Sequence, residues 1–347
     1  MKCIDSLISS NNVSVNANDV LLICDLQAGY DVKGRYVDAV SNVSLKIYEN
    51  EVIGIAGESG CGKSTFAKTI YGYTEPPLKV IKGRVFLREV ANKYIDILAL
   101  ERHVLRDNIW WRKISYIPQN SQNVLNPTMR IKDHFAEMFK IVLKIKEKEA
   151  YKYAQEYIDM LGLPREVLNA YPHQLSGGMR QRVTIALATI FNPKIIIADE
   201  PTSALDVVNQ KIALKMLKTY QEKHQSTLIL ISHDMELLAT ITDRLAIMYA
   251  GKIVEIGATE KVSEEPLHQY TIALMNSVPK IGDRSLRKGL SGQPPDLSNP
   301  PPGCRFHPRC PFAMDICRRE EPPMIEVEKN RFVACWQYFA ERKTFAR

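Results

Sequence analysis

The sequence predicts an α/β fold: a largely parallel sheet covered on both faces, preceded by an antiparallel β segment. Three observations carry this. Stretches 195–198, 228–231 and 245–249 are almost continuously apolar and alternate with helical patterns, as strands buried on both sides require. Residues 53–70 read as apolar strand, glycine-rich turn and helix in direct succession. Residues 39–47 alternate only in part, which suits one half-exposed strand of an antiparallel pair with 20–26.

Taken in order, residues 1–19 are rich in Ser, Asn and Asp and predict a loose leader or a short capping segment. A polar hairpin over 29–38, carrying Tyr30 and Tyr36, joins the first two strands. Pro76 and Pro77 stop the helix after the glycine-rich turn, and 81–87 returns as a strand. Residues 99–113 predict a mostly helical stretch, and 114–119 a short buried strand that ends at Pro118. Region 130–170 has apolar residues near helical spacing, among them Phe135, Met138, Phe139 and Val142, then Ala154, Tyr157, Ile158 and Leu161. That stripe is core. Helices are predicted over 179–191, 207–223 and 234–240, and a hairpin turn at Gly251-Lys252. The body ends near 275. From 276 to 303 Gly, Ser and Pro dominate, which predicts a connector stiffened in places by proline. A small cysteine-bearing unit, 304–347, follows.

The chain has 347 residues and a net charge of +7. No basic run is interleaved with aromatics, so nucleic-acid binding gets no support. The opening residues lack the apolar core of a signal peptide, and no run of about 18 uncharged apolar residues codes a membrane span. Membrane association therefore has to go through a partner. The seven cysteines are an odd number, scattered at first and clustered late, which argues against a secreted disulfide framework.

The chemistry starts at Gly57-Glu58-Ser59-Gly60-Cys61-Gly62-Lys63-Ser64-Thr65. Gly-x-x-x-x-Gly-Lys-Ser between strand and helix is the pattern of a phosphate-binding loop. The glycines let the backbone close round an oxyanion, and the helix start adds unused N–H groups. Lys63 supplies a point charge for β- and γ-phosphates, and Ser64 a hydroxyl for Mg²⁺. Asp199 and Glu200 end the strand expected beside this loop. Asp199 suits Mg²⁺, and Glu200 suits orienting and polarising an attacking water. Gln119 and His233 end other strands; read alone they are ordinary turn residues, but beside a phosphate site they reach Mg²⁺, the water or the γ-phosphate. Ser203 or Asp206 caps the following helix. Leu175-Ser176-Gly177-Gly178 is a second anion-gripping helix start. One nucleotide does not need two, and the second makes sense if it faces the ATP of another subunit arranged head to tail.

With these motifs in this order and spacing, residues 20–270 resemble the ATPase subunits of ABC transporters, and in detail those of the oligopeptide/dipeptide import family. The resemblance implies an ABC-type P-loop NTPase: a parallel core sheet, an antiparallel N-terminal β subdomain, a helical subdomain over about 120–178, and a small C-terminal extension. In its terms Gly57 to Thr65 is the Walker A loop. Gln119 is the Q-loop glutamine that couples the Mg²⁺ site to the permeases. Ser176, Gly177 and Gly178 belong to the signature motif. Asp199 closes Walker B, Glu200 is the catalytic carboxylate, Ser203 to Asp206 form the D-loop, and His233 is the switch histidine. An aromatic residue stacks on adenine; Tyr36 is the candidate and Tyr30 the alternative. The implied partners are a paralogous ATPase or a second copy, two transmembrane permeases docked near 126–133, and indirectly an external solute-binding protein. The implied location is the cytoplasmic face of the cell membrane. The substrate is a peptide, or by alternative an oligosaccharide or nickel. A soluble ABC-type ATPase of DNA repair or translation is the competing reading, but it would need a long coiled-coil insertion or a tandem cassette, and each motif occurs once.

Cys304, Cys310, Cys317 and Cys335 are separated by five, six and seventeen residues. Four thiols in so short a unit suit one soft metal centre, Zn²⁺ or an iron–sulfur cluster, and a metal would supply much of the unit's folding energy. The C-x2-C pairs of zinc knuckles are absent, and so is the common ferredoxin run. The stretch 302–311, with Cys317 and Cys335, resembles the family's C-terminal extension, where four such cysteines hold a [4Fe-4S] cluster. His268 and His307 read as polar surface or packing residues.

Overall fold

The computed structural model describes residues 18–90, 93–203, 205–277 and 292–339. The leader as far as residue 17, connector residues 278–291, Ala204 of the D-loop and the end of the cysteine unit from 340 lie outside the described residues.

In chain order the elements are β1 (Asp19–Val32), β2 (Arg35–Tyr48), β3 (Val52–Ala56), α1 (Lys63–Ile70), β4 (Leu78–Val90), β5 (Lys93–Asp96), α2 (Arg102–Val104), β6 (Ile114–Ile117), α3 (Ile131–Leu143), α4 (Glu147–Met160), α5 (Gly177–Thr189), β7 (Ile195–Asp199), α6 (Val207–His224), β8 (Thr227–Ser232), α7 (Met235–Ile241), β9 (Arg244–Tyr249), β10 (Lys252–Ala258), α8 (Thr259–Glu264), α9 (Gln269–Ser277), α10 (Asp315–Arg319), β11 (Ile325–Glu328) and β12 (Arg331–Val333). They fall into two compact units, one made of 1–99 with 232–347 and the other of 100–231.

The first unit contains an antiparallel sheet in the order β2-β1-β4-β5. The β1–β2 turn is tighter than the polar stretch 29–38 suggested: both strands run on to Val32 and Arg35, so the turn is Lys33-Gly34, both in the left-handed region (φ 52° and 77°). That is the two-residue hairpin a right-twisted ribbon favours. In the same unit β3 pairs in parallel with β9. Strands β10, β12 and β11 then continue from β9, each antiparallel to its neighbour. The sequence at 325–333 carries no obvious strand signal, yet it extends this sheet.

In the second unit β6, β7 and β8 are parallel, with Ile114 beside Ile195 and Ile195 beside Thr227. Every residue of β7 and β8 is buried, as their apolar runs require. The helical stripe packs as expected: Phe135 and Phe139 of α3, Ala154, Tyr157 and Ile158 of α4, and Val183 and Ala186 of α5 share one core. The stretch 99–113 is less helical than its composition suggested. It holds only α2 and a π turn, Leu105–Ile109, before Trp110 turns extended.

Candidate nucleotide site

In the first unit, buried β3 delivers the chain into the glycine-rich loop and α1 carries it away. Two glycines are sterically required. A Cβ at Gly57 would lie 2.1 Å from the Met248 carbonyl oxygen, and one at Gly62 1.9 Å from that of Ala39. Gly62 also has φ 105°, which L side chains avoid. As N-cap of α1 it offers the first N–H groups of the helix no side-chain acceptor. Lys63 is 5% exposed, and its Nζ donates to the carbonyls of Gly57 (2.8 Å) and Glu58 (2.9 Å). The ammonium is thus folded back onto its own loop. Cys61 is buried beside it, and burial raises its thiol pKa. Ser64 follows Lys63 in the first turn of α1.

The two candidate tyrosines lie on the same hairpin but point to different neighbours. Tyr30, on β1, shares a hydrogen bond of 3.1 Å with the Thr65 hydroxyl of α1. The ring end of Tyr36, on β2, lies 2.9 Å from where a Cβ on Gly29 would be, and its buried hydroxyl has no hydrogen-bond partner among the described residues. Burial pushes that hydroxyl's pKa up to about 12. His233 is exposed at the end of β8, directly before Asp234, the N-cap of α7.

The second unit gathers most of the remaining residues. Asp199 ends β7 at 1% exposure and accepts a hydrogen bond from the Tyr116 hydroxyl at 2.9 Å. Glu200 adopts φ 46°, an uncommon backbone conformation for a residue with a side chain. Its N–H donates to the Ile231 carbonyl (2.9 Å), and its carboxylate accepts from Gln119 Nε2 (3.0 Å). The structure therefore brings Gln119 and Glu200 together. Ser176 caps α5, its hydroxyl accepting from the Met179 N–H at 3.3 Å. Asp206 caps α6 and holds Asn209 through both backbone and side chain, at 2.9 and 2.6 Å. Hydrogen bonds from Asn209 lower the carboxyl pKa of Asp206. A Cβ on Gly178 would lie 2.2 Å from Asn209 Oδ1, so a side chain there would have to displace the Asn209 amide.

Sequence reasoning missed one connection here. The Ser121 hydroxyl donates to Gln181 at 2.5 Å, and Thr184 donates to the Ser121 carbonyl at 3.3 Å. These bonds tie the segment after Gln119 to the signature helix. A buried glutamine in a helix that starts with glycines was the available signal.

At the cysteine unit, Cys304, Cys310, Cys317 and Cys335 form no disulfide and all line one small cavity, with His268, Phe306, His307 and Trp336. Among the described residues no His, Cys, Asp or Glu side chains form a group of three able to hold a metal ion. The four thiols share the lining of one cavity without forming such a group. Burial pushes the Cys304 and Cys335 thiols up, to about 12 and about 11. His268 is core and not surface: it is 2% exposed, burial holds its pKa down at about 4, and its Nδ1 accepts from the Tyr270 N–H at 3.0 Å.

The strand, glycine-rich loop and helix of the first unit, and the strand-end acid pair of the second, each have the form expected of an ATP-binding cassette. Comparison with known proteins agrees. Residues 40–203 match the ABC transporter family model, and 254–317 match that of the oligopeptide/dipeptide transporter C-terminal region. A dipeptide transport ATP-binding protein, DppD, of Caldanaerobacter subterraneus is 40% identical over 92% of this chain and 97% of its own length. The oligopeptide transport ATP-binding protein OppD of Bacillus subtilis is 36% identical over 93% and 90%. A dimeric, post-hydrolysis ATP-binding cassette bound to ADP and Pi is similar in structure, with a TM-score of 0.59 and 29% identity over 69% of this chain and 98% of that one. The chain belongs to the oligopeptide/dipeptide family of ABC transporter ATP-binding subunits, and it is an ATPase.

Proposed function

We propose that this ATPase powers uptake of peptides through two membrane permeases, working with a second ATPase subunit, a paralogue or another copy, and indirectly with an external solute-binding protein. The observation that carries the substrate class is the match of 254–317 to the oligopeptide/dipeptide C-terminal region. The relatives' names, which specify dipeptide and oligopeptide transport, favour peptides over oligosaccharides or nickel. The same match speaks against a role in DNA repair or translation. Among the described residues no helix is long and apolar enough to cross a membrane, so the reading is peripheral attachment at the cytoplasmic face through the permeases. In-frame deletion is expected to abolish uptake of radiolabelled di- and tripeptides. Unchanged peptide uptake, with loss of nickel or oligosaccharide uptake, would overturn the peptide assignment.

In this reading Lys63 and the loop N–H groups of Gly57 to Thr65, Glu58, Ser59, Gly60 and Cys61 among them, hold the phosphates, and Ser64, Gln119 and Asp199 hold Mg²⁺. Glu200 orients and polarises the water that attacks the γ-phosphate in line, and His233 reads the γ-phosphate. Ser176, Gly177, Gly178 and Asp206 act on the ATP held by the partner subunit. Tyr36 is the adenine-stacking candidate; the Tyr30–Thr65 hydrogen bond favours its alternative, Tyr30.

For the cysteine unit we propose that Cys304, Cys310, Cys317 and Cys335 hold a [4Fe-4S] cluster, with Zn²⁺ the alternative. Four thiols on one cavity support it, and their donor set is soft. When bound, the cluster would cross-link three stretches of a unit with little core of its own. Anaerobically purified protein is expected to be brown, with about four iron and four sulfide per chain, as that cluster type requires. A colourless sample carrying zinc alone would decide for the alternative.

A further inference from the structure

The cysteine unit reaches the phosphate loop. Between Cys304 and Cys310 the chain is stitched by short turns: the His307 N–H donates to the Cys304 carbonyl (2.9 Å) and the Arg309 N–H to that of Phe306 (3.0 Å). Phe306 is buried at 2% exposure and packs edge-on against Tyr249, ring centroids 5.2 Å apart. This anchoring aims Arg309 at Glu58, the second residue of the glycine-rich loop. The guanidinium grips the carboxylate with both nitrogens, at 2.7 and 3.0 Å, and the arginine side chain is only 5% exposed. It lies 5.8 Å from the centre of the Tyr249 ring.

Glu58 is held at two further points. Its N–H donates to the Tyr270 hydroxyl at 2.8 Å, and its carbonyl accepts from Lys63 at 2.9 Å. One loop residue is therefore fixed through carboxylate, N–H and carbonyl at once, and the carboxylate's partner comes from the cysteine unit. A bidentate charge pair, here part-buried, is among the stronger and more geometrically exacting contacts available to a protein. A loop that must present several N–H groups to a phosphate is sensitive to small misplacements.

We propose that Arg309 is a positioning residue of the nucleotide site. Through Glu58 it holds the phosphate loop in its nucleotide-accepting shape, which makes nucleotide affinity depend on the cysteine-bearing segment. The proposal rests on the reading of 57–65 as the nucleotide loop.

The test is MgATP affinity of the full-length chain, purified anaerobically, measured with a fluorescent ATP analogue. Arg309→Ala is expected to weaken binding about tenfold or more, a loss of the size that loop misplacement produces. Arg309→Lys should recover part of it, since it keeps the charge and loses the fork. Glu58→Gln should weaken binding as well, and the Arg309→Ala/Glu58→Gln double variant should be no weaker than the worse single one. Melting temperature and the reactivity of the four thiols should stay near wild type, which separates positioning from unfolding. Wild-type affinity in Arg309→Ala would overturn the proposal. If that variant does not fold, wild-type affinity in both Arg309→Lys and Glu58→Gln does so instead, as would full additivity in the double variant. Failure of the wild-type protein itself to bind MgATP, or binding untouched by Lys63→Ala, would overturn the underlying reading of the loop.

Discussion

Glu200→Gln is expected to leave MgATP binding intact and to cut steady-state hydrolysis about a thousandfold or more, the scale of a lost general base. Gln119 donates to this carboxylate at 3.0 Å, and the Glu200 backbone is fixed by the Ile231 carbonyl, so the amide takes the same place without the charge. In the proposed reading the substitution removes the group that polarises water, and it changes no residue of the glycine-rich loop. Size-exclusion chromatography of Glu200→Gln with MgATP should therefore show a stable dimer, with this subunit or its paralogue as partner, that ADP does not support. Hydrolysis at an undiminished rate would remove Glu200 from the reaction.

Lys63→Ala is expected to weaken MgATP binding about a hundredfold, as loss of one member of a desolvated charge pair does. The effect has two parts. In the proposed reading the γ-phosphate loses its cation, and the Gly57 and Glu58 carbonyls lose the donor that Lys63 provides at 2.8 and 2.9 Å. Carbonyls left without that donor are partly uncompensated. Equilibrium titration checks this, and binding within threefold of wild type would contradict it.

The phosphate loop was legible because its chemistry permits few alternatives: Gly57 and Gly62 are pressed against carbonyl oxygens, and no other residue type fits there. Strands β7 and β8 were legible because they are buried throughout, and only a parallel sheet interior asks for such runs. Asp206 was legible as a cap because a carboxylate before a helix has one obvious use. What could not be read were contacts between segments far apart in sequence. Nothing local in Arg309 points to Glu58, 251 residues away. Strands β11 and β12 are short and charged, and they become strands because β10 offers an edge. The helical promise of 99–113 yielded to tertiary context, with Leu105, Ile109 and Trp110 buried through a π turn in place of a regular helix. Tyr30 and Tyr36 could not be separated by sequence, because a hairpin's register decides which ring reaches α1.

The pairing of β12 with β10 carries a consequence for biosynthesis. Glu255 and Ile256 sit opposite Val333 and Phe332, and the Ala334 N–H donates to the Val254 carbonyl at 2.8 Å. Buried Glu255 also faces Arg331 at 3.8 Å. While the chain is still on the ribosome, β10 emerges some eighty residues before the strand that covers it, an interval set by the order of the elements. Through that interval its outer backbone is an open template for neighbouring nascent chains. Messages truncated within the last coding segment would make that exposure permanent and yield aggregates from an otherwise complete cassette.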